Sequence, residues 1–173
     1  MGGTDWKMIF WIFLIAAVLV GGRLYISKRS SDKLRATGSM VKRQGNFMKQ
    51  VHVFTTTAPN LKAVMDAMNL SSLMSQTITW TPDYAAGRVA FQKGGLAGSA
   101  RSVLQTLDPA PDGRQVYAYF LTSWTERELG ASDQDVTGVN VLLTAIEKAF
   151  LAVDPATQVE RQDASFKTKY NLF

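Results

Sequence analysis

The sequence predicts an α+β protein in which a single N-terminal transmembrane helix precedes an antiparallel β-meander packed with a long C-terminal helix and one shorter helix. Three observations lead to this prediction. They are an uncharged apolar run near the N-terminus, four successive strand-like segments separated by turn residues, and a helical stripe of apolar residues near the C-terminus. The chain therefore divides into an anchor (residues 1–26), a basic juxtamembrane linker (27–50) and a soluble α+β domain (51–173).

The first predicted element is a membrane anchor. The run from Met8 to Gly22 carries no charge, but as a helix it spans only about 22 Å, whereas a bilayer core is about 30 Å thick. Extension to Ile26 closes most of that gap if Arg23 reaches up to the lipid head groups. A cleaved signal peptide is the alternative, and the anchor is favoured because positive charge follows the apolar run. The same asymmetry predicts a single-pass protein of the cell membrane, with its N-terminus outside and its domain in the cytoplasm.

The second element, residues 27–50, concentrates the basic charge of the chain. Seven basic and one acidic side chain give it a net charge of +6, whereas ten basic and twelve acidic side chains give residues 51–173 a net charge of −2. A domain that is itself mildly acidic argues against nucleic-acid binding. One interpretation is a segment lying on anionic lipid head groups, and the other is an ordinary stop-transfer flank and solvated spacer. The predicted membrane-surface contacts are Arg23, Lys28, Arg29, Lys33, Arg35, Lys42 and Arg43.

The domain begins with the strand-like run VHVFTTTA, after which Pro59 opens a helix. That helix places Leu61, Val64, Met65 and Met68 on one face. Turn residues then separate four predicted strands. These strands span residues 76–81, 88–93, 99–107 and 115–125.

The long C-terminal helix has the clearest periodicity in the chain. Its apolar stripe comprises Val136, Val139, Leu142, Leu143, Ile146, Phe150 and Val153. Ser132 and Asp135 resemble a capping box, and Asp154-Pro155 is a stop signal. The tail SFKTKYNLF alternates apolar residues with lysines, which is typical of a guarded edge strand but also fits a frayed terminus.

The last strand of the meander, QVYAYFLTSWT, predicts a sheet that is covered on both sides. Val116, Ala118, Phe120 and Trp124 point to one face, and Tyr117, Tyr119 and Leu121 point to the other. A strand with one wet face alternates apolar with polar residues, and this one does not. The C-terminal helix covers one face, and the first helix of the domain, a lipid, a partner or a second copy covers the other.

The stretch VHVFTTTAPNLKAVMDAM, followed by a meander and a long amphipathic helix, resembles the START-like helix-grip superfamily of hydrophobic-ligand binders and cyclases. The resemblance covers about residues 51–153, although this sequence has fewer strands and only one helix before the meander. It implies a hydrophobic-ligand or lipid-binding domain. The implied apolar lining is Trp80, Tyr84, Phe91, Tyr117, Tyr119 and Trp124.

The residues that carry chemistry are few. The chain has no cysteine and one histidine, His52, so thiolate sites and histidine-based metal clusters are excluded. In a strand, His52 is expected to be a packed or edge residue. The loop GGLAG at residues 94–98 lacks the lysine and hydroxyl residue of a phosphate-binding loop, which indicates a hairpin connection.

The remaining charged candidates are interpreted as solvated. Glu126, Arg127 and Glu128 lie at a strand end, where two carboxylates could act as an acid–base pair, and a solvated charge cluster is the favoured interpretation. Arg88 and Arg101 lie on adjacent predicted strands and could face an anionic ligand, and the wet face of the sheet is their favoured position.

The expected function is that of a membrane-anchored, non-enzymatic binding or assembly module that presents its cytoplasmic domain to a protein partner or to a second copy. No cofactor and no metal is expected. The alternative is the START-like lipid-binding domain.

Overall fold

The computed structural model describes residues 6–43, 46–94, 100–124, 126–127, 130–131, 133–170 and 172. Its helices are α1 (Trp6–Ala36), α2 (Leu61–Asp66), α3 (Leu70–Met74), α4 (Asp133–Val153) and α5 (Ser165–Lys169). Its strands are β1 (Val51–Thr56), β2 (Ile78–Asp83), β3 (Arg88–Lys93), β4 (Ala100–Leu107), β5 (Gln115–Trp124), β6 (Glu126–Arg127), β7 (Gly130–Ala131) and β8 (Gln158–Gln162). A short 3-10 turn at Phe47–Lys49 precedes β1.

The main sheet has six antiparallel strands in the order β2-β3-β4-β5-β1-β8, and β6 pairs separately with β7. Strands β2 to β5 are the predicted meander, so the α+β class and the meander are confirmed. Strand β1, the first of the domain, pairs with β5, the last strand of the meander. Strand β8 pairs with the other side of β1 and forms an edge of the sheet. The sequence did not predict β8, because QVERQ holds one apolar residue and pairs through its backbone at the sheet edge.

The helices α2, α3 and α4 cover one side of the sheet, called here the helix side. The predicted apolar faces of α2 and α4 are buried there, and the ring of Phe150 stacks on Phe54 with centroids 4.4 Å apart. Each such fully buried side chain stabilises the fold by roughly 1.5–3 kcal/mol. Asn60 caps α2 and Asn69 caps α3. Two short helices therefore precede the meander, which corrects the prediction of one.

The other side of the sheet, called the back side, is covered near β1 and β5 by the end of the chain. Val51, Val53, Ala118 and Phe120 are buried there together with Leu172. The tail forms α5 and not the expected edge strand, because a turn of helix lets Phe166 pack on this patch. Burial of both faces of β5 is thus confirmed, and the second cover is the C-terminal segment of the same chain.

Trp124 of β5 lies on the opposite side of the sheet from the one that the sequence predicts. Leu121 pairs with Ser102 and Ser123 with Arg101, so Thr122 is an extra residue that forms a β-bulge. A one-residue insertion reverses the facing of every residue beyond it. Trp124 therefore packs against the helix-side core and does not share a face with Val116.

The N-terminal helix runs ten residues beyond Ile26, the predicted end of the anchor, to Ala36. Gly38 follows in the left-handed conformation (φ +67°), which glycine adopts at low cost and which ends the helix. Met40, Phe47 and Met48 are then buried. The second half of the predicted linker is therefore packed on the domain and is not a solvated spacer.

Candidate functional site

The apolar segment of α1 is exposed on all its sides. From Phe10 to Gly22 every residue is exposed, with Phe13 at 72% and Leu19 at 68%. Among the described residues, the helix both long and apolar enough to cross a membrane is Asp135–Val153 of α4, and Ile9–Gly22 is apolar but shorter. Most of the α4 stretch is buried inside the domain.

The predicted membrane-surface residues divide into two groups. Lys28, Arg29, Lys33 and Arg35 are exposed on the last turns of α1, and Lys42 is exposed beyond them. The side chain of Arg23 lies outside the part of the chain that the structure describes. Arg43 differs from the others, because its side chain is only 2% exposed and lies against α4.

Arg43 is held by three side chains of α4. Its Nη1 and Nη2 donate to the two carboxylate oxygens of Glu147 at 2.9 and 2.7 Å, and its Nε donates to Oδ1 of Asn140 at 3.0 Å. Nη2 also lies 3.4 Å from the hydroxyl of Thr144. Positions 140, 144 and 147 share one face of a helix. We call these four residues the Arg43 clamp.

Two backbone contacts extend the Arg43 clamp along the same segment. Nδ2 of Asn140 donates to the carbonyl of Val41 at 2.9 Å, and Nζ of Lys148 donates to the carbonyl of Gly38 at 2.7 Å. The segment that follows α1 is thereby fixed to α4 by charge, hydrogen bonds and buried apolar side chains. Sequence reasoning missed this contact. The signal was Asn140 and Thr144, two polar residues one turn apart at positions of α4 that are buried.

A buried polar cluster lies beneath the Arg43 clamp. His52 and Tyr119 are directly opposite each other on β1 and β5, and both are fully buried. Nε2 of His52 lies 3.4 Å from the carbonyl of Phe47. Burial is the main cause that lowers the pKa of His52 to about 4, and the positive charges of Arg43 and Arg161 act in the same direction. Burial likewise raises the pKa of Tyr119.

Three polar atoms of this region have no hydrogen-bond partner among the described residues. They are Oε1 of Gln50, Nδ1 of His52 and the hydroxyl of Tyr119. The hydroxyl of Ser102 on β4 acts on the Tyr119 oxygen as a donor, which lowers the pKa of Tyr119 slightly against the effect of burial, and the Tyr119 proton is left without an acceptor. His52 is thus the packed histidine that the sequence predicted.

Five of the six residues of the implied apolar lining face the helix side. Phe91, Tyr117 and Tyr119 are buried in its core, and Trp80 and Trp124 pack at its margin. The hydroxyl of Tyr117 donates to the carbonyl of Ala58 at 3.1 Å, and its ring lies 5.2 Å from that of Phe150. Tyr84 is separate, because it is 44% exposed between β2 and β3.

Two of the charged candidates lie on the face of the sheet that the sequence predicts, and the side chains of the others lie outside the part of the chain that the structure describes. Arg88 and Arg101 are exposed on the back side, as predicted, and Nε of Arg88 is 3.5 Å from Asp83. Residues 95–98, Glu128 and Ser132 lie outside the described residues, as do the side chains of Glu126 and Arg127. Within the described ranges, no three metal-ligating side chains of His, Cys, Asp or Glu come together.

In comparisons with known proteins, no protein-family model, no curated protein and no solved structure matches the chain significantly.

Proposed function

We propose that this protein is a single-pass membrane-anchored binding module whose α+β domain engages a protein partner in the cytoplasm. The observation that carries the proposal is the exposed apolar surface of α1. A helix that is apolar all round requires an apolar environment. A soluble domain fixed to the end of such a helix is then held close to the membrane.

Helix length supports this geometry. The 31 residues of α1 make it about 46 Å long, and a bilayer core takes about 20 of them. Roughly ten residues, about 15 Å of helix, remain between the membrane and the domain. These residues carry Lys28, Arg29, Lys33 and Arg35, and positive charge on this flank favours the cytoplasmic side.

The back side of β2, β3 and β4 is the surface proposed to meet the partner. Thr79, Thr81, Gln92 and Arg101 are exposed on it. Strand β2 is also one of the two edge strands of the sheet, with its outward backbone groups available to an added strand. Pro82 limits indiscriminate pairing at that edge. A polar face beside a free edge suits a protein partner better than a lipid.

Three experiments test the proposal. The chain is expected to resist extraction from membranes at alkaline pH, and a C-terminal fluorescent reporter is expected to be active while an export-dependent phosphatase is silent. The opposite reporter result would overturn the orientation. For the partner, a photo-crosslinking residue at Gln92 is expected to capture a protein, whereas the same residue at Lys62, exposed on α2, serves as the matched control. Equal capture at both sites contradicts the assignment of the surface.

The START-like lipid-binding domain is the second candidate. It is favoured by the five aromatic residues that share the helix side with α4 and by the position of β1 beside β5, with two helices between β1 and the meander. Native mass spectrometry of the full chain released from nanodiscs distinguishes the two. A stoichiometric lipid that survives removal of bulk lipid supports this candidate, and a lipid-free chain supports the first.

A further inference from the structure

The cluster beneath the Arg43 clamp brings three unpartnered polar atoms to one end of the helix side. His52 and Tyr119 are cross-strand neighbours with ring centroids 6.3 Å apart. Gln50 has extended backbone angles (φ −89°, ψ 154°), and alternation therefore places its side chain on the same face as His52. Buried polar atoms without partners are rare in folded proteins, and one shared partner explains all three.

The chemistry of the three atoms defines that partner. The carbonyl of Phe47 can only accept, so Nε2 of His52 carries the proton and Nδ1 is left as an acceptor. Oε1 of Gln50 is a second acceptor, and the Tyr119 hydroxyl can donate. A partner that donates twice and accepts once satisfies all three atoms. The positive charge of Arg43 disfavours a cation, and the two acceptors disfavour an anion.

We propose that this cluster is a binding site for one internal water molecule, which donates to Gln50 and His52 and accepts from Tyr119. A buried water typically makes about three such bonds. The segment that follows α1 closes the site, because Phe47 supplies the carbonyl to His52 and the Arg43 guanidinium lies 6.0 Å from the centre of the Phe47 ring. The water therefore exchanges only when this segment leaves α4.

Substitution of Tyr119 by Phe tests the site, with Tyr117→Phe as its matched control. The Tyr117 hydroxyl has a protein partner, Ala58, so Y117F loses a real hydrogen bond. If water bridges Tyr119, Y119F is expected to lower the folding equilibrium constant to a similar extent, roughly five- to thirtyfold. Stability of Y119F equal to or above that of the natural chain overturns the proposal, because removal of an unpartnered hydroxyl is neutral or stabilising.

Water exchange tests the enclosure. Oxygen-17 relaxation dispersion of the full chain in detergent is expected to reveal one long-lived water, and Y119F and R43A are each expected to shorten its residence time at least tenfold. No long-lived water in the natural chain overturns the proposal, and so does a small organic molecule found at unit stoichiometry by mass spectrometry after denaturation.

Discussion

The two long helices of this protein are both apolar, yet their surroundings differ completely. In α4 the apolar stripe faces the sheet, and Asn140, Thr144 and Glu147 form a polar face that holds Arg43. The apolar segment of α1 has no such division and is exposed on every side. Length and apolarity alone would select α4 as the membrane span. The proposal that α1 is the membrane span rests instead on the distribution of polar residues around each helix, because this distribution decides which environment the whole helix surface tolerates.

The largest expected effect comes from the same substitution made in each helix. Ile146 of α4 is fully buried, and Ile146→Lys places an unpaired charge in the core at a cost of several kcal/mol. We expect the domain not to fold, as measured by circular dichroism and protease resistance of the full chain. Ile15→Lys in α1 is the matched variant, at a position that is 55% exposed.

We expect Ile15→Lys to leave the unfolding midpoint of the domain unchanged and to weaken membrane insertion by about 3 kcal/mol. Membrane fractionation and thermal unfolding in detergent measure the two effects separately. A folded I146K domain, or an I15K variant that inserts normally, would remove the distinction between the helices.

The next largest effect concerns the Arg43 clamp, which fixes the segment after α1 to α4. Arg43→Ala leaves the Glu147 carboxylate, which is 19% exposed, without its ion pair. Breaking such a buried pair costs about 3–5 kcal/mol. Chemical unfolding of the full chain measures the loss. Arg35→Ala is the control, because its pair with Asp32 is half exposed, 3.7 Å long and expected to contribute less than about 1 kcal/mol. Equal losses in the two variants would mean that the Arg43 clamp does not fix α1 to the domain.

Local sequence patterns predicted the meander and the faces of α2 and α4, because each pattern involves residues within one element. The period of α4 and the turns between the strands needed no distant contact. The facing of Trp124 was predicted wrongly, because the bulge at Thr122 exists only in the register between β4 and β5. The sequence left the tail open between an edge strand and a frayed terminus, and the structure shows neither, because Phe166 packs from α5 on the apolar patch that Leu172 also covers.

The Arg43 clamp could not be predicted from the sequence for a related reason. Arg43 and Glu147 are 104 residues apart in the chain, and no local pattern connects them. A basic residue next to a membrane anchor is ordinarily a surface contact, so the charge of Arg43 was assigned to the wrong environment. Only the docking of the segment on α4 makes it a buried residue.

The third prediction concerns pH. The folded state keeps His52 neutral down to about pH 4, whereas the unfolded chain protonates it near pH 6.5. The unfolded state therefore binds the extra proton, and stability falls as the pH drops from 6.5 toward 4, by on the order of 3 kcal/mol. The charges that act on the ring are those of Arg43, Glu147 and Arg161.

Urea unfolding at half-unit pH intervals measures this loss. His52→Gln is expected to remove it. The pKa of Asp154 is lowered to about 2 by the backbone amides of Thr57 and Ala156, so its own contribution is lost only below about pH 4 and does not overlap. An unchanged pH dependence in H52Q would show that burial does not keep this histidine neutral.

The smallest effect contrasts glycines of the two helices. A Cβ on Gly21 of α1 would meet nothing within 4 Å, whereas a Cβ on Gly138 of α4 would collide with the side chain of Lys93, which passes against it. Nζ of Lys93 donates to the carbonyl of Gln76 at 3.2 Å, so the collision disturbs a held side chain. Gly21→Ala is expected to leave the unfolding midpoint of the domain unchanged.

Gly138→Ala is expected to destabilise the natural chain slightly. In a Lys93→Ala background the same change is expected to stabilise it by about 0.5–1 kcal/mol, the ordinary gain of alanine over glycine in a helix. Unfolding midpoints of the four chains of this cycle measure the change of sign. If Gly138→Ala has the same effect with and without the Lys93 side chain, Gly138 is not needed to make room for Lys93 against α4. The two helices would then differ only in what surrounds them and not in how their glycines are used.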